Sequence, residues 1–317
     1  MATSDKYKFH FLSLDKSSLK SKSITNAEIS SGYIDIEITK EEFLKSVITC
    51  GMPMYYLTPS ISCSRKMEIS YKLYAILSLI EFDSVSGYIR LRKEIRYLDA
   101  SEKATLSYYL GMVLTRFISS REFKQDYLVH LNILEKTNSI KYKNINKKLR
   151  PDLIGYNKTS QKFSVFEAKG RLRKKIATLE KALEQVQNVN YIAGSKPSYA
   201  VAQLSYFKNN ELYVVAVDPV EEGNKKIEFN DNCLVQYFKL YYEPIISLFK
   251  ESDQIKIENE KSTALLEING LVFYIELPTN IYSAFSNNEF SMKHLIREND
   301  KFDNDLINVR LIKGVIE

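Results

Sequence analysis

Apolar residues recur along this chain at two spacings, and the spacing switches where turn-forming residues intervene. Gly32-Tyr33-Ile34-Asp35-Ile36-Glu37-Ile38 alternates with period two, as a half-buried strand does. Thr39-Lys40-Glu41-Glu42 then has the form of a capping box and opens a helix predicted to end near Gly51. Met67 to Phe82 is rich in apolar residues and reads as a buried helix, although its isoleucines and tyrosines also suit a strand. Leu106, Leu110, Val113, Leu114 and Phe117 share one helical face, predicting a helix over 101–119 introduced by Asp99-Ala100-Ser101-Glu102. A strand over 126–133 follows, then a basic connector, strands over 152–156 and 162–169, and a helix over 176–190. Strands at Tyr199 to Phe207 and Leu212 to Asp218 come next. The second is an almost unbroken apolar run, as expected of a strand covered on both faces. After Pro219 and the polar link Glu221-Glu222-Gly223-Asn224, a helix is predicted from Asn232 to Lys250. A hairpin at Leu265 to Phe273 follows, its Asn269-Gly270 pair suited to a tight turn.

This order predicts an α/β protein in three regions: an N-terminal α/β region over 1–95, a core over 96–220, and a C-terminal α+β extension over 221–317. The core is a small mixed sheet flanked by helices. A chain of 317 residues, 44% hydrophobic and 26% charged, has the composition of a globular protein.

The chemistry concentrates on the two central strands. Pro151-Asp152 opens the first, and Glu167-Ala168-Lys169 lies at the end of the second. Side chains two apart in a strand share a face, so Glu167 and Lys169 point one way while Ser164, Phe166 and Ala168 point towards a core. Two carboxylates so placed can share a hard divalent cation, and a lysine beside them can hold a water or steady charge on a phosphate. A solvated cross-strand ion pair has the same wording. The surrounding charge separates the two readings. Between Ser139 and Lys175 stand twelve basic residues and two acidic ones, a net +10, while the whole chain carries +6 and the other 280 residues therefore −4. The two acidic residues are Asp152 and Glu167 themselves. Such a segment attracts phosphate backbones without reading sequence, and Arg171, Arg173, Lys174 and Lys175 are the first candidates for phosphate contacts.

The Asp152, Glu167 and Lys169 wording, with Arg-Pro-Asp-Leu-Ile-Gly before and Glu-Ala-Lys-Gly after, resembles the PD-(D/E)XK restriction-endonuclease-like superfamily over roughly residues 95 to 220. The resemblance implies an αβββαβ core in which Asp152 and Glu167 bind Mg²⁺ or Mn²⁺ and Lys169 assists hydrolysis of a phosphodiester. It implies DNA as the partner and restriction or antiviral defence as the setting, with a homodimer or partner defence proteins as further associates. Members often carry a helical Glu that reaches the metal, which here matches Glu102; a capping box with Asp99 explains the same residue. Some members place a helical Gln near the site. Gln185 is the candidate, and Gln187 with Tyr191 reproduces a Gln-x-x-x-Tyr spacing. A non-catalytic nucleic-acid-binding or adaptor protein on the same fold is the alternative function.

Other chemistries are poorly served. His10, His130 and His294 are scattered, His130 reading as a packed strand-end residue; Cys50, Cys63 and Cys233 form no CxxC pair for structural zinc. No GxxxxGK[ST] loop is present. Tyr237, Tyr241 and Tyr242 are candidates to stack on bases. The first residues lack the apolar stretch of a signal peptide and no apolar run is long enough to cross a bilayer, so a cytoplasmic protein away from membranes is expected.

Overall fold

An N-terminal strand, absent from the elements expected above, joins the sheet. In the computed structural model, which describes residues 6–14, 29–50, 64–144, 149–219, 225–230, 233–295 and 305–313, strand β1 (Lys6–Leu14) buries Phe9, Phe11 and Leu12. Strand β2 (Ile34–Thr39) pairs antiparallel with it, and Thr39 and Glu42 close the expected capping box of the helix Lys40–Thr49. The Met67 to Phe82 segment takes both of its expected forms. It is helical over Arg65–Leu79 and then turns into β3 (Ile80–Phe82), which pairs antiparallel with β4 (Ile89–Leu91). Arg92 Nε marks the change by donating to the carbonyls of Leu77 and Ile80, at 2.8 and 2.9 Å.

The long helix Ala100–Arg121 leads to β5 (Tyr127–His130), which ends three residues earlier than the pattern suggests because His130 caps the short helix Leu131–Lys136. Its Nδ1 accepts the Asn132 amide at 3.2 Å. After β6 (Ile140–Lys143) come the two motif strands, β7 (Leu153–Asn157) and β8 (Lys162–Gly170), then the helix Ile176–Gln187, β9 (Tyr191–Ile192), β10 (Ala200–Lys208), β11 (Glu211–Val217) and β12 (Lys226–Phe229).

These strands build a nine-stranded mixed sheet ordered β2-β1-β11-β10-β8-β7-β5, with β4 also joined to β11 and β3 to β4. The pairs β1–β11 and β8–β10 are parallel; the others are antiparallel. Strands from residues 1 to 95 are thus hydrogen-bonded into the same sheet as those of the central region. A smaller sheet, β6-β12-β9, lies apart from it. The fold is of the mixed α/β class, and β10, buried at every position but its last, runs through its middle.

Beyond the helix Cys233–Lys250, the antiparallel sheet β13 (Gln254–Ile257), β14 (Lys261–Ile268), β15 (Leu271–Pro278) and β16 (Asn308–Lys313) contains the expected hairpin. Asn269 and Gly270 both take positive φ, 56° and 74°, between the paired Ile268 and Leu271. Tyr237, Tyr241 and Tyr242 are buried, which removes them as base-stacking groups. The Tyr237 hydroxyl lies between the carbonyls of Tyr127 and Ile154 at the sheet edge, at 2.8 and 2.9 Å, and can donate to either. The three tyrosines sit on the apolar stripe of an amphipathic helix, where their rings supply core area and their hydroxyls find partners.

Among the described residues, no helix is long and apolar enough to cross a membrane.

Candidate functional site

Backbone register brings the motif together. Leu153 pairs with Phe166 across the β7–β8 hairpin, so Asp152, just ahead of β7, lies opposite Glu167. Asp152 Oδ2 accepts the Ala168 amide at 3.3 Å, and its carbonyl accepts the Leu131 amide at 2.8 Å. The segment entering β7 is clamped from two helices. Gln185 Nε2 donates to the Arg150 carbonyl at 2.8 Å and Asn188 Nδ2 to the Leu149 carbonyl at 2.6 Å. The Arg150 guanidinium is held by Glu135 and by Asn132 Oδ1. With φ at Pro151 fixed by its ring, Asp152 has little freedom.

Phe166, Ala168 and Gly170 alternate with Glu167 and Lys169 along β8 and face the helix Ala100–Arg121. The approach there is so close that a Cβ at Gly170 would lie 1.6 Å from the Ser107 carbonyl oxygen, and one at Gly111 2.8 Å from the Gly170 amide. Two glycines therefore set how near this helix comes to the end of the motif strand. The opposite face is buried too: Phe163, Val165 and Glu167 are all out of water. The expected division of β8 into one core face and one open face does not hold, since both faces are covered.

Burial changes the chemistry of Glu167. Its Oε1 is ion-paired with Lys169 Nζ, while its Oε2 is buried without a hydrogen-bond partner. Desolvation first, and the neighbouring Asp152 carboxylate second, push its carboxyl up to about 8 against the pull of Lys169. Two carboxylates are thus forced together in a poorly solvated place, with one oxygen unspent. A hard divalent cation fits this donor set, because it would satisfy the spare oxygen and relieve the repulsion.

The other expected site residues are placed differently. Glu102 closes the capping box, its Oε2 accepting the Asp99 amide at 3.0 Å. Among the described residues no three His, Cys, Asp or Glu gather closely enough to hold an ion, so Glu102 does not join Asp152 and Glu167. Gln185 is beside the site, and its Nε2 holds the Arg150 backbone carbonyl, which places it as a positioning residue. The basic segment also divides. Arg171, Arg173 and Lys175 are exposed, whereas Lys174 is half-buried and its Nζ is tethered to the Ile29 carbonyl at 3.0 Å. Burial and the neighbouring Lys208 lower its amine. Lys158 is bound to the Leu295 carbonyl, Lys143 pairs with Glu228 at 2.9 Å, and Lys147 and Lys148 lie outside the described residues.

Two neighbours complete the surroundings, Tyr108, unmarked by sequence patterning, and His130, which is packed at a strand end as expected. Tyr108, next to Ser107 on the long helix, lies near enough that desolvation, then the charge of Asp152, with Cys50 and Glu167 among further causes, raise its hydroxyl. Its position off the Leu106–Leu110–Phe117 stripe was the available signal. His130 is buried and its imidazole is lowered to about 4, burial outweighing the attraction of Asp152. It stays neutral in this fold and serves as a cap.

Comparisons with protein-family models, with curated proteins and with solved structures each find no match.

Proposed function

We propose that this chain is a metal-dependent nuclease of the PD-(D/E)XK type, hydrolysing phosphodiester bonds of DNA. The observation that carries the reading is the Asp152–Glu167 pair with its unspent buried oxygen and with Lys169 Nζ upon it. The order of elements supports it. The helix Ala100–Arg121 precedes the antiparallel run β5-β7-β8, and the helix Ile176–Gln187 crosses to β10, parallel to β8, in the αβββαβ sequence that the superfamily uses.

In this reading Asp152 and Glu167 hold a Mg²⁺ or Mn²⁺ ion, which when bound supplies positive charge at the scissile phosphate. Lys169 Nζ, anchored on Glu167, holds a water or steadies charge developing on the phosphate oxygens. Gln185 and Asn188 keep the Asp152 backbone in place, and exclusion of water around Glu167 strengthens every charge interaction at the site. The biological setting is restriction or defence against foreign DNA, in the cytoplasm, by analogy with the superfamily.

Cleavage of a DNA substrate by the purified chain should require Mg²⁺ or Mn²⁺ and stop in EDTA. Lys169→Met should retain DNA binding while single-turnover cleavage falls about 10²-fold or more, the scale of losing a positioned charged or acid–base group. A variant that cuts at the wild-type rate removes Lys169 from the chemistry. DNA binding with no cleavage under any divalent ion would instead favour the non-catalytic alternative.

Neutralising Arg171, Arg173 and Lys175 together should weaken binding across sequences and flatten its salt dependence, on duplex DNA by roughly 0.9 in log–log slope for each phosphate that is no longer neutralised. Adding Lys174→Ser to that set should change the slope less than any of the three, because its ammonium is half-buried and tethered to the Ile29 carbonyl. Salt titrations monitored by fluorescence anisotropy measure both effects.

A further inference from the structure

The solvent face of a surface helix ordinarily carries charge. On the helix Arg65–Leu79 the exposed positions are Met67, Tyr71, Tyr74 and Ser78, spaced i, i+4, i+7 and i+11, and none is charged. Met67 is 67% exposed, Tyr71 51% and Tyr74 61%, and on the neighbouring long helix Tyr108 is 41% exposed. The rings connect the two helices. Tyr71 meets Tyr109 edge-on at 5.7 Å between centroids, and Tyr109 meets Tyr108 at 5.6 Å.

We propose that this uncharged aromatic face is a stacking platform for unpaired bases, so that substrate reaches the carboxylate pair as a single strand. The inference rests on the nuclease reading and specifies its substrate class. Its first support is continuity: the ring series starts at Tyr108, next to Ser107, whose carbonyl lies against Gly170 at the end of the strand that carries Glu167 and Lys169. A second is the charge beside it. Arg171, Arg173 and Lys175 follow Gly170, which lies against Ser107, one residue from Tyr108. Cations for a backbone and flat rings for bases therefore adjoin one helical turn, the pairing that single-strand grooves use. A duplex hides its base faces within its own stack and gives exposed tyrosines nothing to grip.

The test is binding alone, in Ca²⁺ or EDTA, of a fluorescent single-stranded oligonucleotide and of a duplex of the same sequence. Wild-type protein should prefer the single strand. Tyr71→Ala/Tyr74→Ala should lose about tenfold or more of single-strand affinity, while Tyr71→Phe/Tyr74→Phe keeps it because the rings remain. Circular-dichroism melting confirms that both variants fold. Unchanged single-strand affinity in the alanine variant overturns the platform, as does an equal loss in the phenylalanine variant. A switch from dimer to monomer in light scattering, with single-strand affinity intact, assigns the face to a protein interface and overturns it as well. No cleavage is read, so a protein that fails to cut under any metal would refute the nuclease reading while leaving the binding result to stand or fall by itself.

Discussion

Changing Asp152 to asparagine, or Glu167 to glutamine, is expected to reduce metal-dependent cleavage by about 10³-fold or more, the scale of removing one member of a catalytic unit. Both replacements keep side-chain volume, so the hairpin register and the clamp on Arg150 should survive. Glu167→Gln has a second consequence that does not depend on activity. In the folded, metal-free protein the Glu167 carboxyl is raised to about 8, while in the unfolded chain it sits near its ordinary 4.5. Between those values the folded state keeps a proton that the unfolded state has released. Its contribution to stability is therefore full below about pH 4.5 and is lost as pH climbs towards 8. Each pH unit separating the two values is worth roughly 1.4 kcal/mol, so the glutamine variant should outlast wild type at about pH 8.5 by a few kcal/mol and match it near pH 4.5. Added Mg²⁺ or Mn²⁺ should raise the wild-type melting temperature more at about pH 8 than at about pH 5, where a proton competes for the same oxygens. The glutamine variant should show little of that gain. Melting curves across pH, with and without metal, decide the matter: a wild-type protein indifferent to pH and metal would mean that the carboxylates are not a strained pair.

The motif hairpin was legible because its signals are local. Apolar runs bounded by Asn157 to Gln161 fix two adjacent strands, and register follows from the short connection. The helices Lys40–Thr49 and Ala100–Arg121 were legible for the same reason, through their capping boxes. Strand β1 carries a short alternation, Tyr7, Phe9 and Phe11 between Lys6, Lys8 and His10, but its place between β2 and β11, the latter about two hundred positions away, is not written in any local pattern. Burial of Glu167 escaped too. The alternation in Phe163-Ser164-Val165-Phe166 is apolar on both faces, a pattern that points to a strand covered twice, and a glutamate within it shares that cover. Charge counting overstated the basic surface for a different reason. Arg150 is paired with Glu135, just outside the counted window, and Lys158 and Lys174 are tethered to the carbonyls of Leu295 and Ile29, positions that a net charge along the sequence cannot register.

A buried cluster outside the motif should prove the most costly to break. Asp305 Oδ1 pairs with Lys45 Nζ at 2.6 Å, and its Oδ2 accepts from Arg116 at 2.8 Å and from Tyr241 at 2.7 Å. Its carbonyl accepts from Tyr242 at 2.9 Å. Burial works to raise this carboxyl, but Lys45 and Arg116 outweigh it and hold the group below the usual carboxylate range. Arg116 is itself buried and belongs to the helix Ala100–Arg121, the helix that touches Gly170 and carries Tyr108. The cluster therefore ties the segment leading into β16 to the helix that shapes the candidate site. Asp305→Ala would leave the buried Arg116 guanidinium without its ion-pair partner and with only the charge of Asp126 nearby, a defect of the kind that ordinarily costs about 3–5 kcal/mol. Asp305→Asn keeps acceptors for Tyr241 and Arg116 and should cost less. Urea unfolding of the three proteins gives the comparison, with a lower midpoint and unchanged slope expected for the alanine variant. Because Asp305 is depressed by its partners, the stability it confers is present above about pH 4 and is lost as pH falls further, so the gap between wild type and Asp305→Ala should narrow in acid. Equal midpoints at neutral pH would mean that water reaches Arg116 when the carboxylate is gone, and that the tie to the site-forming helix is weaker than its geometry implies.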